Sequence, residues 1–486
     1  MVNLKTLAWC SLIFFACACE RPVRAEPDDG FEDRILGGLR PAVYWNDEEP
    51  VYDLAARMQH WKVPAVSIAV VDGMQIRWAG AFGAKETGGD GRVDTATVFQ
   101  AASVSKPVAA VGALVLNRDG RLPLDNDVNE LFDDWHLPHR NDDNPVTVRR
   151  ILSHSAALGV GGFEGYAPED TLPSLQQIID GVPPSNSPAV RVVGEPGTGF
   201  TYSGGGYQVL QKIMQDVTGR SFTAFMHANV FDPLGMNDST YAPLDDARKR
   251  NAAHGHLPDG PIRGHGPIHA ESAAGGLWTT PSDLARLLID LMKAQRGEPA
   301  ILLDQRTARE MLEPVFWDFG LGFKVMGKGR DFRFSHGGAT RGWHCHFMAF
   351  PARGQAVVVM TNGTNGWVLW PEVERAVAHE LGWPNLRPAR VRSEPMRWEA
   401  LRQYGGSYRM PGLVVRVTLG SGGLEFSGAG LTWRLVPSTP DRFAIIDMEG
   451  EVKFKRGEDG AVEGMHLWFG EPDWSPYREW DFKKLD

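Results

Sequence analysis

An α+β fold, an antiparallel sheet with a helical layer followed by a small all-β barrel or sandwich, is predicted by three features of the sequence. Strand-like runs lie at both ends of residues 40–383, with helix-like runs between them. An aperiodic stretch rich in Pro and Arg follows over residues 384–400 and reads as a linker. Over residues 401–486, short β-rich runs alternate with Gly, Pro, Asp and Ser, the signature of a small antiparallel domain.

The elements follow in order. Residues 66–71 and 75–79 flank Asp72-Gly73, a hairpin signal. Residues 101–117 carry Val104, Val108, Val111, Leu114 and Val115 at helical spacing, and Gly120 stops the run. Further helices are predicted over 147–153, 206–217, 281–293 and 372–381, and strands over 332–335, 343–350 and 356–361. The tail offers strands at 413–419, 424–426, 431–436, 443–446, 452–455 and 465–468.

Composition narrows the function classes. Lys plus Arg number 50 against 60 Asp plus Glu, a formal charge of −10, which argues against nucleic-acid binding. Cys10, Cys17 and Cys19 sit in an N-terminal apolar stretch, leaving Cys345 alone in the rest of the chain. A disulfide framework within the processed protein is thereby excluded. The apolar run over residues 7–18 is shorter than the ~20 residues that span a bilayer. With Lys5 before it and Val23-Arg24-Ala25 after it, residues 1–25 read as a secretory signal. Cys19, after Ala16-Cys17-Ala18, is an alternative lipid-bearing residue. Either way the expectation is an exported protein, periplasmic or secreted or tethered as a lipoprotein, with no transmembrane span.

The sharpest chemical signal is Ser103-Val104-Ser105-Lys106 at the head of the first long helix. A serine hydroxyl needs a base to become a nucleophile. A lysine three residues later shares its helix face, and burial would keep that amine neutral enough to serve. The helix N-terminus favours developing negative charge, and Pro107 is tolerated in a first turn. The pattern alone is common in long chains, and a helix cap beside a solvated lysine would read the same way.

Other motifs follow in order: Ile151-Leu-Ser-His154, Tyr202-Ser-Gly204, Gly275-Gly-Leu-Trp-Thr-Thr-Pro-Ser-Asp283 and Ser335-His336-Gly337-Gly338, with Val63–Val70 ahead of them. Together they resemble the serine β-lactamase-related family, on the class C β-lactamase, D-aminopeptidase and esterase side, with a penicillin-binding-protein fold. The tail resembles the β-barrel accessory domains that follow such hydrolase domains. The resemblance implies a β-lactamase/transpeptidase-like sheet. It makes Ser103 the acylated nucleophile, Lys106 its proton acceptor, and Tyr202 the phenol that protonates the leaving group. It aligns His336, Gly337 and Gly338 with the Lys-Thr-Gly strand along the cleft, and places the oxyanion between the backbone N–H groups of Ser103 and Ala339.

Two positions depart from the family pattern. Gly204 stands where Tyr-x-Asn carries its amide, and His336 stands where a lysine holds the substrate carboxylate of β-lactams. Both changes point away from antibiotic hydrolysis, toward peptidase or esterase members in which His336 binds substrate or assists proton transfer. The expectation is a serine hydrolase acting through an acyl-enzyme on amides or esters, with D-amino-acid peptides and small esters favoured. β-Lactamase or acyltransferase activity needs the same residues. A non-catalytic peptidoglycan or partner binder on a hydrolase scaffold is the alternative from another class.

The remaining candidates read as structural. His254, His256, His265 and His269, like His344 and His346, lack metal-ligand spacing, so no metal is expected. His154 reads as a turn at a helix end and Cys345 as a buried thiol. Trp343 suits pocket or core equally, and Trp468, Trp474 and Trp480 could form an aromatic face on the tail. There is no G-x-S-x-G elbow, no complete H-E-x-x-H after His379-Glu380, no Walker A loop and no dinucleotide fingerprint. No cofactor is implied.

Overall fold

A computed structural model describes residues 30–138, 143–394, 396–420, 423–428, 430–471 and 475–485. The segment read from sequence as a secretory signal, with Cys10, Cys17 and Cys19, lies outside the described residues, as does Trp474.

The sheet begins with a hairpin of β1 (Ala65–Asp72) and β2 (Gln75–Gly83). Its turn residues are Gly73 (φ 59°) and Met74 (φ 64°), one position later than the sequence signal placed them. Both lie in the left-handed region that a two-residue turn between twisted strands demands. Strands β3 (Lys324–Met326), β4 (Arg333–Thr340), β5 (Trp343–Phe350) and β6 (Gln355–Thr361) complete an antiparallel sheet of order β2-β1-β6-β5-β4-β3. The principal helices are α1 (Leu54–Trp61), α2 (Ser105–Arg118), α3 (Gly204–Thr218), α4 (Pro281–Arg296) and α5 (Gly366–Glu380).

Strand alternation divides the interior into two cores. Ala69 and Val71 of β1, Val358 and Met360 of β6, and Cys345 and Phe347 of β5 face a core shared with α2, α3 and α4. Their neighbours Val66, Ile68, Val70, Val357, Val359, Met348 and Phe350 face the opposite way, onto α1 and α5. Covered on both sides, the strands read as continuous apolar runs rather than as alternating ones.

The tail closes into an eight-stranded antiparallel barrel rather than a sandwich. Its strands are β7 (Gly406–Met410), β8 (Leu413–Gly420), β9 (Gly423–Gly428), β10 (Leu431–Thr439), β11 (Arg442–Ile445), β12 (Gly450–Arg456), β13 (Val462–Glu471) and β14 (Ser475–Lys484). The six runs foreseen from sequence are β8 to β13. The two that close the ring, β7 and β14, carried no clear apolar alternation and pair through Tyr408↔Lys484 and Arg409↔Lys483. Val415, Phe426, Trp433, Phe443, Phe454, Met465 and Phe482 fill the interior and join the same core that covers the outer face of the sheet. Trp480 packs on Phe469, which stacks on Trp367 of α5 with centroids 5.7 Å apart, so it takes part in packing.

A buried ionic cluster pins the barrel to that face. Arg57 of α1 donates through Nε to Glu372 of α5 at 2.8 Å, and its Nη2 reaches Asp447 of the barrel at 3.1 Å. Trp61 adds an indole N–H to Glu372 at 3.1 Å, and the Tyr52 hydroxyl donates to Asp447 at 3.3 Å. With the side chains of Arg57 and Glu372 only 8% and 1% exposed, deleting one partner strands a charge away from water. Such losses typically cost ~3–5 kcal/mol. Arg57→Ala is therefore expected to lower the thermal unfolding midpoint by several degrees or to split the transition in two. An unchanged melt would show that the cluster does not hold the two units together.

Candidate active site

Backbone geometry presents Ser103 before any side chain contributes. A single turn of 3-10 helix, Ala102–Val104, precedes α2, and Ala102 lies at φ 45°. A non-glycine residue in that region is strained and persists only where surrounding structure enforces it. Here the enforcement comes from β4 and β5. The Cys345 thiol donates to the Ala101 carbonyl at 3.1 Å, and a Cβ on Gly338 would lie 2.2 Å from the same oxygen. Glycine at 338 thus lets the cleft strand approach the serine turn. Cys345 is buried, and burial pushes its thiol pKa up, away from thiolate chemistry.

One turn on, Lys106 reaches back to Ser103, with Nζ 3.0 Å from Oγ. The same nitrogen donates to the Ala274 carbonyl at 2.8 Å, at the end of the short helix Ser272–Gly275. Lys106 is 2% exposed, and desolvation alone brings its pKa down to about 7. Near neutral pH a sizeable fraction is thus uncharged amine. With one N–H committed to Ala274, its lone pair is free to face the serine hydroxyl.

Tyr202 completes the trio. Its neighbour Ser203 caps α3, accepting from the Gly206 N–H at 2.8 Å and donating to the Gly159 carbonyl at 2.7 Å. The phenol neighbours Ser103, its ring lies 5.0 Å from Lys106 Nζ, and burial pushes its pKa up to about 12. The phenol is thus protonated at neutral pH.

His154 was read from sequence as a turn residue, and the structure gives it more to do. It stands at φ 57° after Val148–Leu152, and its ring lies against Tyr202 with centroids 4.3 Å apart. Its carbonyl accepts from the Thr201 N–H at 2.7 Å and its Nδ1 from the Ser203 N–H at 3.1 Å. Both backbone neighbours of Tyr202 are thereby fixed by one residue. Burial holds this imidazole well below its usual pKa, hence neutral.

His336 lies on β4, facing the same buried group. Its Nδ1 donates to the Gly337 carbonyl at 2.7 Å, which leaves Nε2 as an acceptor. Burial, reinforced by the nearby Lys106, drives its pKa down to about 3, so it cannot replace a cationic lysine. Gly204 opens α3, and a Cβ there would meet Phe163 at 3.0 Å. The space of the missing amide is occupied by an aromatic edge. Ala339 is exposed next to Gly338 on β4.

The remaining sequence candidates fall elsewhere. Trp343 is fully buried between Phe99 and Trp278, a core residue. His254 and His265 lie against one another at 3.9 Å between centroids, His256 accepts from the Thr87 N–H, and His346 pairs with Glu374 at 2.5 Å. Among the described residues no group of three ligating side chains could hold a metal ion.

The geometry agrees with what the comparisons find. Residues 53–381 match the family model described as Beta-lactamase. The chain belongs to the β-lactamase family. It is 24% identical to penicillin-binding protein 4* of Bacillus subtilis over 431 residues, covering 81% of this chain and 91% of that protein. It is 27% identical to a D-aminopeptidase of Gluconobacter oxydans over 390 residues, 75% of this chain and 64% of that one. The octameric penicillin-binding protein homologue from Pyrococcus abyssi superposes with a TM-score of 0.61 at 20% identity, over 88% of this chain and 98% of that one. The D-amino acid amidase from Ochrobactrum anthropi does so at 0.56 and 22%, over 72% and 99%. These structures share the fold. As a β-lactamase-family member the chain is a serine hydrolase.

Gly338→Ala is the sharpest local test of this architecture. The added methyl meets a backbone oxygen that cannot swing aside, and overpacking of this kind costs ~1–3 kcal/mol. The variant is expected to unfold at lower temperature than the native protein. An unaltered midpoint would mean that β4 does not brace the serine turn.

Proposed function

We propose that the protein is an exported serine hydrolase that forms an acyl-enzyme on Ser103. Neutral Lys106 takes the Ser103 proton as Oγ attacks an amide or ester carbonyl carbon, and the oxyanion lies between the backbone N–H groups of Ser103 and Ala339. The tetrahedral intermediate collapses as Tyr202 gives its phenol proton to the departing nitrogen or oxygen, and Tyr202 recovers a proton from Lys106. Water, deprotonated by the same pair, then releases the acyl group and restores Ser103. Gly337 and Gly338 form the cleft edge. The observation that carries this reading is the buried Lys106 amine, 3.0 Å from the serine oxygen and without a counter-charge.

D-amino-acid peptides or amides and small esters are the favoured substrates. The support is the D-aminopeptidase and D-amino acid amidase among the similar proteins, together with the neutral His336. Without a cation at that position the carboxylate of a β-lactam lacks its usual partner there, which places β-lactamase activity second. Export rests on residues 1–25, through signal cleavage or lipidation of Cys19.

Intact-mass analysis after treatment with a fluorophosphonate tests the nucleophile. One adduct on the native protein and none on Ser103→Ala is expected, and a folded native chain that takes no label would sink the enzyme reading in favour of a binding protein. Lys106→Ala should slow labelling by at least ~100-fold, in line with the loss of a general base.

The pH dependence follows from sign. The active form of Lys106 is the deprotonated one, so the labelling rate should climb as pH rises toward about 7 and level off above it. It should stay level until Tyr202 ionises near about 12. A rate independent of pH between 5 and 9, or falling across ~5–9, would exclude Lys106 as the base.

A further inference from the structure

Aromatic rings run from the reacting trio to solvent. Trp317 is 72% exposed, the highest value among the large apolar side chains of the described residues. It stands at φ 51° in a tight turn where Phe319 N–H donates to the Phe316 carbonyl at 3.0 Å and Val315 N–H to the Phe319 carbonyl at 2.8 Å. Exposing an indole costs solvation free energy, and holding a bulky residue in the left-handed region adds strain. Packing does not account for either, since the outer part of the ring touches water.

The inner part of the ring is anchored. Trp317 stacks on Phe200 at 5.5 Å and 26°, and Phe200 meets Phe319 at 5.3 Å and His154 at 5.7 Å. Phe319 stands edge-on to His336 at 6.2 Å, and His154 lies against Tyr202. The file therefore ends at Tyr202 and His336, while the Ala274 carbonyl holds Lys106 from the short helix Ser272–Gly275. Charge along the file is muted: Asp318, beside Trp317, lies 3.4 Å from the Lys324 ammonium.

We infer that the Trp317–Phe200–Phe319 file is the subsite for the leaving group, and that it selects substrates whose departing amine or alcohol bears an uncharged aromatic group. This rests on the reading of Tyr202 as the proton donor to that group. A flat apolar leaving group would stack on the exposed indole and stay in register with the phenol that protonates it. A leaving group ending in a free carboxylate would meet neutral rings instead of a cation.

Product-like ligands test this on the intact protein. The rate of fluorophosphonate labelling of Ser103 is followed by mass spectrometry with 2-phenylethanol, ethanol or 3-phenylpropanoate present at equal concentration. The expected result is protection by 2-phenylethanol about fivefold or more stronger than by either of the others, the size of one aromatic contact. Trp317→Ala should erase that difference and Trp317→Phe should retain it. Equal protection by all three in the native protein, or an advantage that survives Trp317→Ala, would overturn the subsite. Failure of the native protein to be labelled at all would instead remove the hydrolase reading on which the subsite rests.

Discussion

Everything at the site depends on keeping one amine dry. Among the described residues Lys106 forms no ion pair, and its hydrogen-bond partners are a carbonyl and a hydroxyl. An ammonium there loses hydration and gains no counter-ion, so burial lowers its pKa without any specific charge doing so. The other titratable groups around it obey the same rule. His154 and His336 are held neutral, and Tyr202 is held protonated. A charged group on any of these positions would shift the balance, so the surroundings of the Lys106 amine are kept uncharged.

The fold supplies that dryness from two sides. Alternation along β1, β5 and β6 turns one face to the core that carries α2 and the serine turn, and the other to α5 and the barrel. The barrel interior is filled with aromatic and aliphatic side chains continuous with the second core, so the domain acts by covering the sheet. Its ionic link through Arg57, Glu372 and Asp447 is costly to bury and directional once formed, which suits fixing an orientation better than adding net stability.

Much of this was legible in the sequence. The helix after Ser103, the strands of residues 343–350 and 356–361 and six of the eight barrel strands declared themselves through apolar spacing, and the ordered motifs singled out Ser103, Lys106 and Tyr202. What stayed hidden has physical reasons. The Ala274 carbonyl is a backbone group, identical in every residue. His154 had a visible motif, but its grip on Tyr202 depends on a positive φ and a chain reversal that a string of letters does not show. Strand β14 (Ser475–Lys484) carries no sustained apolar alternation in its sequence, and β7 is too short to carry a period. The Phe200, Phe319 and Trp317 rings come from segments more than a hundred residues apart, and only folding places them in one file.

The two departures from the family pattern have a common sense. A lysine at 336 would place a second buried amine near Lys106, and an amide at 204 would require Phe163 to move. Histidine and glycine remove both demands. The polar elements of the family pattern are replaced by a neutral imidazole and an aromatic edge, and burial alone lowers the Lys106 pKa. On the proposed reading, selection comes from shape and apolar contact, since His154, His336 and Tyr202 carry no charge. A site that keeps Ser103, Lys106 and Tyr202 beside a neutral His336 keeps the serine arrangement of its family without a cation at that position.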